Sequence, residues 1–474
     1  MTENLDVDLC VVGGGSAGLS VAAGAAQLGA RVVLFERRKM GGECLNFGCV
    51  PSKALIASGR AAHAVRHAHD FGVDARLERV DFDAVVNRVH AVIAGIAPHD
   101  SEERFAGLGV RVCRSAATFV ARDTIESEGI RVRARRFVIA TGSSPAVPPI
   151  DGLADTPYLT NETVFLNRTL PSHLLVIGGG PIGIEMAQAH RRLGAAVTVA
   201  EAGRVMGKED PELTAVVRAQ LEAEGITLLE GAKVRRVRVE GDAIEATIEG
   251  ERESTLSISH VLVAAGRTPQ VDGLGLEAAG VEHSRTGITV DARLRTSNRR
   301  IFAIGDVIGG PQFTHAAGYQ AGIVIRNALF RLPAKSDYRA LPWATFTDPE
   351  LARVGLIESE ARAVHGAAID VLSVPFSAND RARAEGRTDG MIKVVIGRRG
   401  RILGASIVGD HAGELIHLWA LAMREGLSAK AVASMIAPYP TYGEISKRVA
   451  GDYYAPKLFS KWPRRLVSLL GRFG

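Results

Sequence analysis

Cysteine is scarce in this chain, with four in 474 residues. That is too few for the disulfide lattice that holds small secreted domains together. Long apolar runs are also lacking, and none approaches the ~18 residues that a membrane span needs. The N-terminal stretch from Met1 to Asp8 is acidic and leads directly into a strand-like run, without the basic stretch, apolar stretch and cleavage site of a secretion signal. A cytoplasmic address is the expectation. Charge of one sign is lacking too: 57 Lys+Arg stand against 52 Asp+Glu. The basic residues are scattered rather than gathered into a stripe, which argues against nucleic acid as a partner.

What is present reads as an ordinary globular composition, 46% hydrophobic and 23% charged, with length for about three domains. One pattern is written twice. Asp8-Leu-Cys-Val-Val is a short buried strand that runs into glycines at 13, 15 and 18, an Ala-rich helix from Leu19 to Leu28, and a second strand from Arg31 to Phe35 that ends at Glu36. Leu174 to Ile177, Gly178, Gly180 and Gly183, then Val197 to Ala200 and Glu201, repeat it. In both copies the acid falls 18 residues past the third glycine. The first glycine allows the tight turn, the second lets a pyrophosphate approach the backbone, and the third allows close helix–strand packing. Phosphates would meet unpaired N–H groups at the helix start, and the acid would take a ribose hydroxyl pair. Each copy also closes on an apolar strand that stops at small residues, Phe137-Val-Ile-Ala-Thr141-Gly142 and Val261-Leu-Val-Ala-Ala-Gly266. One such glycine motif is weak evidence, but two in register indicate two dinucleotide sites.

Cys10 sits inside an apolar strand and Cys113 in an isolated context, so both read as inert. Cys44 and Cys49 are five apart. In an ideal helix that spacing separates Cα atoms by about 8.6 Å, whereas a disulfide wants at most ~6.8 Å. If the pair bonds, the helix start must be distorted, and Asn46, Gly48 and Pro51 permit a non-helical entry. A thiolate near a helix N-terminus is stabilised by the dipole. The bland alternatives are a fortuitous pair or a fragment of a metal site, and no matching His or Cys cluster favours zinc.

The segment Gly41-Gly-Glu-Cys-Leu-Asn-Phe-Gly-Cys-Val-Pro-Ser-Lys53 resembles the signature of the pyridine nucleotide-disulfide oxidoreductases, the family of dihydrolipoamide dehydrogenase, glutathione reductase and mercuric reductase. The resemblance extends through both glycine motifs, Ile301-Phe-Ala-Ile-Gly-Asp306 and Thr347-Asp-Pro-Glu350, to Pro440-Thr-x-x-Glu444. It implies an α/β fold of two Rossmann-like dinucleotide-binding domains plus an α+β C-terminal dimerisation domain. The implied divisions are an FAD-binding domain with the redox dithiol at 1–148, an NAD(P)-binding domain at 149–272, a central segment at 273–338 completing the FAD site, and a dimerisation domain at 339–474. By the same resemblance FAD occupies the first module and the nicotinamide nucleotide the second, and Asp306 holds the ribityl chain. The other reading of Asp306 is a helix N-cap. Cys49 is then the flavin-side, charge-transfer thiol and Cys44 the interchange thiol. Lys53 resembles the lysine beside the flavin, with Glu185 as its partner. His315 starts a helix near the flavin rather than acting as a base. A carboxylate at Glu201 accepts from a free ribose 2′-OH and repels a 2′-phosphate, so NADH is expected over NADPH, with Arg204 close enough in sequence to compensate.

The chain departs from its relatives at one position. Where the family's disulfide reductases carry His-Pro-Thr-x-x-Glu, this chain has Tyr439-Pro-Thr-x-x-Glu444, with no other histidine within fifteen residues. Tyrosine, with an ordinary pKa near ~10, cannot cycle protons easily at neutral pH. It resembles mercuric reductase here, yet the sequence closes without that enzyme's C-terminal cysteine pair and opens without a metal-binding extension. The expected acceptor is a small disulfide, an electrophilic sulfur species or a soft metal ion. The alternatives are dihydrolipoamide dehydrogenase-type activity, or a flavin diaphorase or quinone reductase with a spectator dithiol. A homodimer is expected, with Tyr439 and Glu444 completing the partner's site. The basic tail from Lys461 places Trp462, Leu466, Leu469 and Phe473 on one helical face. It reads as packing on its own dimer or, more sharply, as peripheral contact with an anionic membrane.

Overall fold

The computed structural model describes residues 2–473, which form two compact units: Met1–Ala202 with Thr227–Ser336, and Gly203–Ile226 with Asp337–Gly474. The first unit is built on two parallel sheets. In one, the strands run in the order Val110–Cys113, Val32–Phe35, Glu3–Val12 and Ile130–Ile139, with Ile301–Ala303 pairing parallel to the last. Antiparallel strands Thr124–Ser127 and Thr118–Ala121 extend that sheet. The other has the order Thr227–Glu230, Ala196–Glu201, His173–Ile177, His260–Val263 and Tyr158–Leu159, all parallel. Parallel strands covered on both faces read as continuous apolar runs rather than alternations, and Val32–Phe35 is buried along its whole length. Each such Val, Leu or Phe contributes about 1.5–3 kcal/mol relative to exposure. Cys10 belongs to this core, as its apolar strand suggests, and so does Cys113, whose context left core or surface open; burial pushes both thiols up.

The second unit holds a five-stranded antiparallel sheet in the order Pro342–Thr345, Glu350–Gly355, Ile402–Gly409, Met391–Ile396 and Asp370–Pro375. The two strands expected around residues 392–408 pair as antiparallel neighbours. Helices Ala412–Arg424 and Glu444–Asp452 share its core, where Trp419 is fully buried and its Nε1 donates to Ser446 Oγ at 3.1 Å. The helix Pro211–Ala223, which the sequence reading places inside 149–272, groups with this unit instead. The cause is electrostatic as well as apolar. Lys393 Nζ is nearly buried and reaches Asp210 at 3.0 Å, Glu212 at 2.9 Å and Glu358 at 2.9 Å. Burial alone would pull the Lys393 amine down, but hydrogen bonds to three carboxylates hold it above its usual range.

Candidate active site

The first glycine loop is shaped for a close backbone approach. Gly13 has φ +110°, and a Cβ there would stand 2.3 Å from the Ala140 carbonyl oxygen. A Cβ on Gly18 would stand 1.9 Å from Gly13 O. The N–H of Gly14 donates to Glu36 Oε2 at 2.7 Å, so the acid at the end of Val32–Phe35 is tied to the loop. The helix Ser16–Gln27 starts at Gly15 without a side-chain cap, leaving its first N–H groups directed past the loop. This is a cradle that fits the pyrophosphate and ribose of a dinucleotide. Thr141 Oγ1 donates to Gln270 O at 2.7 Å, and Gly142 (φ +71°) accepts from Gln270 N at 2.9 Å.

The dithiol segment is fastened to this loop. Gly41 N donates to Gly14 O at 2.9 Å, and a Cβ on Gly42 would lie 2.5 Å from Gly15 Cα. The helix Gly42–Asn46 ends as Phe47 N donates to Glu43 O, the chain breaks at Gly48 with φ −127° and ψ −109°, and a new helix, Cys49–Arg66, begins. The distortion required by the five-residue spacing is therefore real. It brings the two thiols into hydrogen-bond contact, both as free cysteines. The Cys44 hydrogen bond, the Thr314 hydroxyl and the charge of Lys53 bring the Cys49 thiol down to about 6 against the opposing effect of burial. Cys44 moves the other way, above the ordinary thiol range, because it donates to Cys49 and is partly buried. Thr314 Oγ1 lies 3.6 Å from Cys49 Sγ.

Lys53, one turn along the same helix, donates from Nζ to Glu185 Oε2 at 2.8 Å. Glu185 sits on Pro181–Leu193, the helix that follows the second glycine loop. The two helices pack closely, with Gly59 facing Ala189 O. The structure thus brings Cys44, Cys49, Lys53 and Glu185 together. The second loop copies the first: a Cβ on Gly178 (φ +114°) would stand 2.4 Å from Ala264 O, one on Gly183 would stand 2.0 Å from Gly178 O, and Gly179 N donates to Glu201 Oε2 at 2.7 Å. Gly180 faces open space. Gly266 (φ +124°) accepts from Ala146 N at 2.9 Å.

Asp306 is not a helix N-cap. It lies inside the short turn Gly305–Ile308, and the N-cap of the next helix, Thr314–Ala328, is Phe313. Its Oδ2 accepts from Ser143 Oγ at 2.5 Å and lies 3.4 Å from Arg267 Nε. The fully buried Gln320 accepts from Gly305 N at 2.6 Å and fixes that turn. His315 is exposed, and its ring stacks on Phe313 at 5.3 Å between centroids.

Sequence reasoning missed Glu43, Arg267, Ser143 and Thr314. Arg267 bonds Glu43, and its Nε donates to Ser143 Oγ at 2.8 Å, so one guanidinium ties the dithiol segment to the Asp306 turn. Burial pushes the Glu43 carboxyl up despite this arginine. The signal was there, since Glu43 falls inside the thirteen-residue signature and Arg267 follows the second small-residue turn. Tyr439 and Glu444 belong to the second unit. Tyr439 is exposed and donates from its hydroxyl to Asp380 Oδ2 at 3.1 Å, and that carboxylate raises the phenol's pKa. Glu444 Oε2 accepts from Thr441 N at 3.3 Å. Within the chain, then, the Tyr439 hydroxyl is held by Asp380, while the Glu444 carboxylate is engaged with the backbone.

A twice-written dinucleotide loop with a thiol pair at its mouth defines a flavin-type disulfide oxidoreductase. The family described as "Pyridine nucleotide-disulphide oxidoreductase" matches residues 7–321, and its dimerisation domain matches residues 341–450. The chain belongs to the pyridine nucleotide-disulphide oxidoreductases, a family of FAD-dependent enzymes, and carries that family's dimerisation domain. It is 35% identical to a mercuric reductase of Lysinibacillus sphaericus over 448 residues, 94% of this chain and 82% of that protein. It is equally 35% identical to a dihydrolipoyl dehydrogenase of Geobacillus stearothermophilus over 457 residues, 94% of this chain and 96% of that protein. Among solved structures it resembles the HOCl-induced flavoprotein disulfide reductase RclA of Escherichia coli in its Cu(II) complex, with a TM-score of 0.85 and 28% identity, covering 94% of this chain and 99% of that one. Among the described residues no helix is long and apolar enough to cross a membrane.

Proposed function

We propose that the chain is an NADH-dependent flavoenzyme that reduces a thiophilic acceptor, a soft metal ion or an electrophilic sulfur species, through Cys44 and Cys49. The observation that carries this reading is the opposite displacement of two touching thiols, with Cys49 held as the thiolate at about 6 and Cys44 kept protonated. Bound FAD and nicotinamide supply hydride acceptance and delivery of an electron pair to the disulfide. Gly13, Gly15, Gly18, Glu36, Thr141, Gly142 and Asp306 would hold the flavin nucleotide, and Gly178, Gly180, Gly183, Glu201 and Gly266 the nicotinamide nucleotide. His315 would border the flavin site from the helix start. Lys53, positioned by Glu185, favours negative charge beside Cys49.

When the reduced pair, a Cys44 thiol and a Cys49 thiolate, passes on its two electrons it closes to a disulfide and releases one proton, from Cys44. A disulfide acceptor needs a group that takes the Cys44 proton and returns it to the leaving sulfur. Tyr439, its pKa raised by Asp380, serves poorly for that. A metal ion captured by a thiolate has no leaving sulfur to protonate, and a sulfur electrophile with a small leaving group can take its protons from water. Mercuric reductases among the relatives, and the reductase solved with Cu(II), support this acceptor class. Dihydrolipoyl dehydrogenase activity is the second reading, resting on equal identity. Tyr439 counts against it.

The test is NADH oxidation with lipoamide, glutathione disulfide, Hg²⁺, Cu²⁺, hypothiocyanite and quinones. We expect turnover with the metal or hypothiocyanite arms to exceed that with the disulfides. Cys44→Ser/Cys49→Ser should lose it, whereas full turnover in that double variant would overturn the reading. Tyr439→His should raise lipoamide or glutathione disulfide reduction by about a hundredfold, and an unchanged rate would refute the proton-transfer argument.

A further inference from the structure

The segment after Asp452 has no acidic residue and carries Lys457, Lys461, Arg464, Arg465 and Arg472. Within it, the helix Lys461–Leu470 buries none of its side chains. Trp462, Val467 and Phe473 are 73%, 69% and 81% exposed, and Leu469 and Leu470 are more than half exposed. At about 100° per residue, Leu469, Trp462, Leu466, Leu470 and Val467 of this helix fall in one arc of roughly 160°. Lys461, Arg464, Arg465 and Ser468 fill the opposite arc. The dimerisation match stops at residue 450, before this helix begins. The Escherichia coli structure is matched over 99% of its length while taking in only 94% of this chain. The apolar arc therefore lies outside the residues that the family's two domains match.

A scattered apolar surface is ordinary for a globular protein. A wide apolar arc flanked only by cations is not, because it repels a basic partner and draws a negatively charged, apolar-backed one. We propose that Lys461–Leu470 is an in-plane anchor that seats the enzyme on an anionic lipid bilayer. Trp462 and Phe473 would lie at headgroup depth, and the arginines would lie over the phosphates. The charge pattern carries the choice of occupant, since each Lys or Arg near such a surface multiplies binding roughly fivefold at low salt and nothing acidic in the segment offsets it.

Full-length protein is floated with vesicles of pure phosphatidylcholine, or of phosphatidylcholine with about a third phosphatidylglycerol. We expect flotation with the anionic vesicles alone, weakened by high salt. Arg464→Glu/Arg465→Glu, a change of four charges, should lower partitioning by roughly several hundredfold, and Leu466→Asp/Leu470→Asp should abolish it. Both variants should oxidise NADH at the wild-type rate, since neither touches the dithiol or glycine loops. Wild type failing to float, or both variants floating like wild type, would overturn the proposal. So would a change of oligomeric mass in Leu466→Asp/Leu470→Asp without vesicle binding by wild type, which would make the face a contact between copies of the chain.

Discussion

The two glycine modules are near copies in backbone and differ in what covers them. Their turns superpose in chemistry: Gly13 and Gly178 have φ values of +110° and +114°, and both acids accept from the loop at 2.7 Å. Over the first loop lies the dithiol segment, with Gly42 pressed against Gly15 and Glu36 almost wholly buried. Over Gly180 lies nothing within 4 Å, and Glu201 is only half-buried. A covered loop suits a group that stays through many turnovers, and an open one suits a group that must leave after each. On the assignment proposed above, one design would serve both retention and exchange, and the difference would come from a neighbouring segment rather than from the motif.

The largest test of that contrast uses the third glycines. Gly18→Val and Gly183→Val meet carbonyls at similar range, so each should cost about 3 kcal/mol in denaturant unfolding. The first should purify without bound flavin, whereas the second should keep its flavin absorbance and lose nicotinamide-dependent turnover. Loss of flavin from both would erase the distinction.

A smaller effect is expected at the acids. Glu36→Ala strands the N–H groups of Gly14 and Arg38 in a buried site and should cost about 2 kcal/mol, with weaker flavin retention in dialysis. Glu201→Ala should leave stability nearly unchanged and lower the NADH-over-NADPH preference in kcat/KM about tenfold, roughly 1.4 kcal/mol. An unaltered ratio would remove Glu201 from nucleotide choice.

A last test lies where the modules meet. Lys53→Met removes a cation from buried Glu185 and should cost about 2 kcal/mol. It also removes a charge that lowers the Cys49 pKa. Any long-wavelength absorbance of the two-electron-reduced enzyme that depends on the Cys49 thiolate should persist at neutral pH and fade as pH falls through about 6. A depressed thiol loses its anion in that direction. Lys53→Met should move the midpoint upward, and an unmoved midpoint would detach this lysine from the thiol.

Much of this contrast was legible in the residues. Paired glycine turns fix strand, turn and helix because few other residues fit positive φ or a 2 Å approach, so both modules could be placed by eye. The five-residue cysteine spacing foretold a broken helix start, and Gly48 supplies it. What could not be read was partnership among side chains distant in sequence. Arg267 reaches Glu43 across 224 positions, and no periodicity announces such a meeting. Asp380 captures Tyr439 for the same reason. The grouping of Pro211–Ala223 was hidden because its apolar stripe fits any sheet, and only the buried Lys393 selects one.

That lysine has a consequence for dissection of the molecule. The chain leaves the first unit at Ala202, returns at Thr227 and leaves again after Ser336, so no single cut yields two whole pieces. A fragment starting at 339 would strand the Lys393 ammonium without Asp210 and Glu212, and one ending at 336 would expose the stripe of Pro211–Ala223. Recombination between relatives should therefore succeed when residues 203–226 and 337–474 are exchanged as a set, and should give insoluble chimeras when either travels alone.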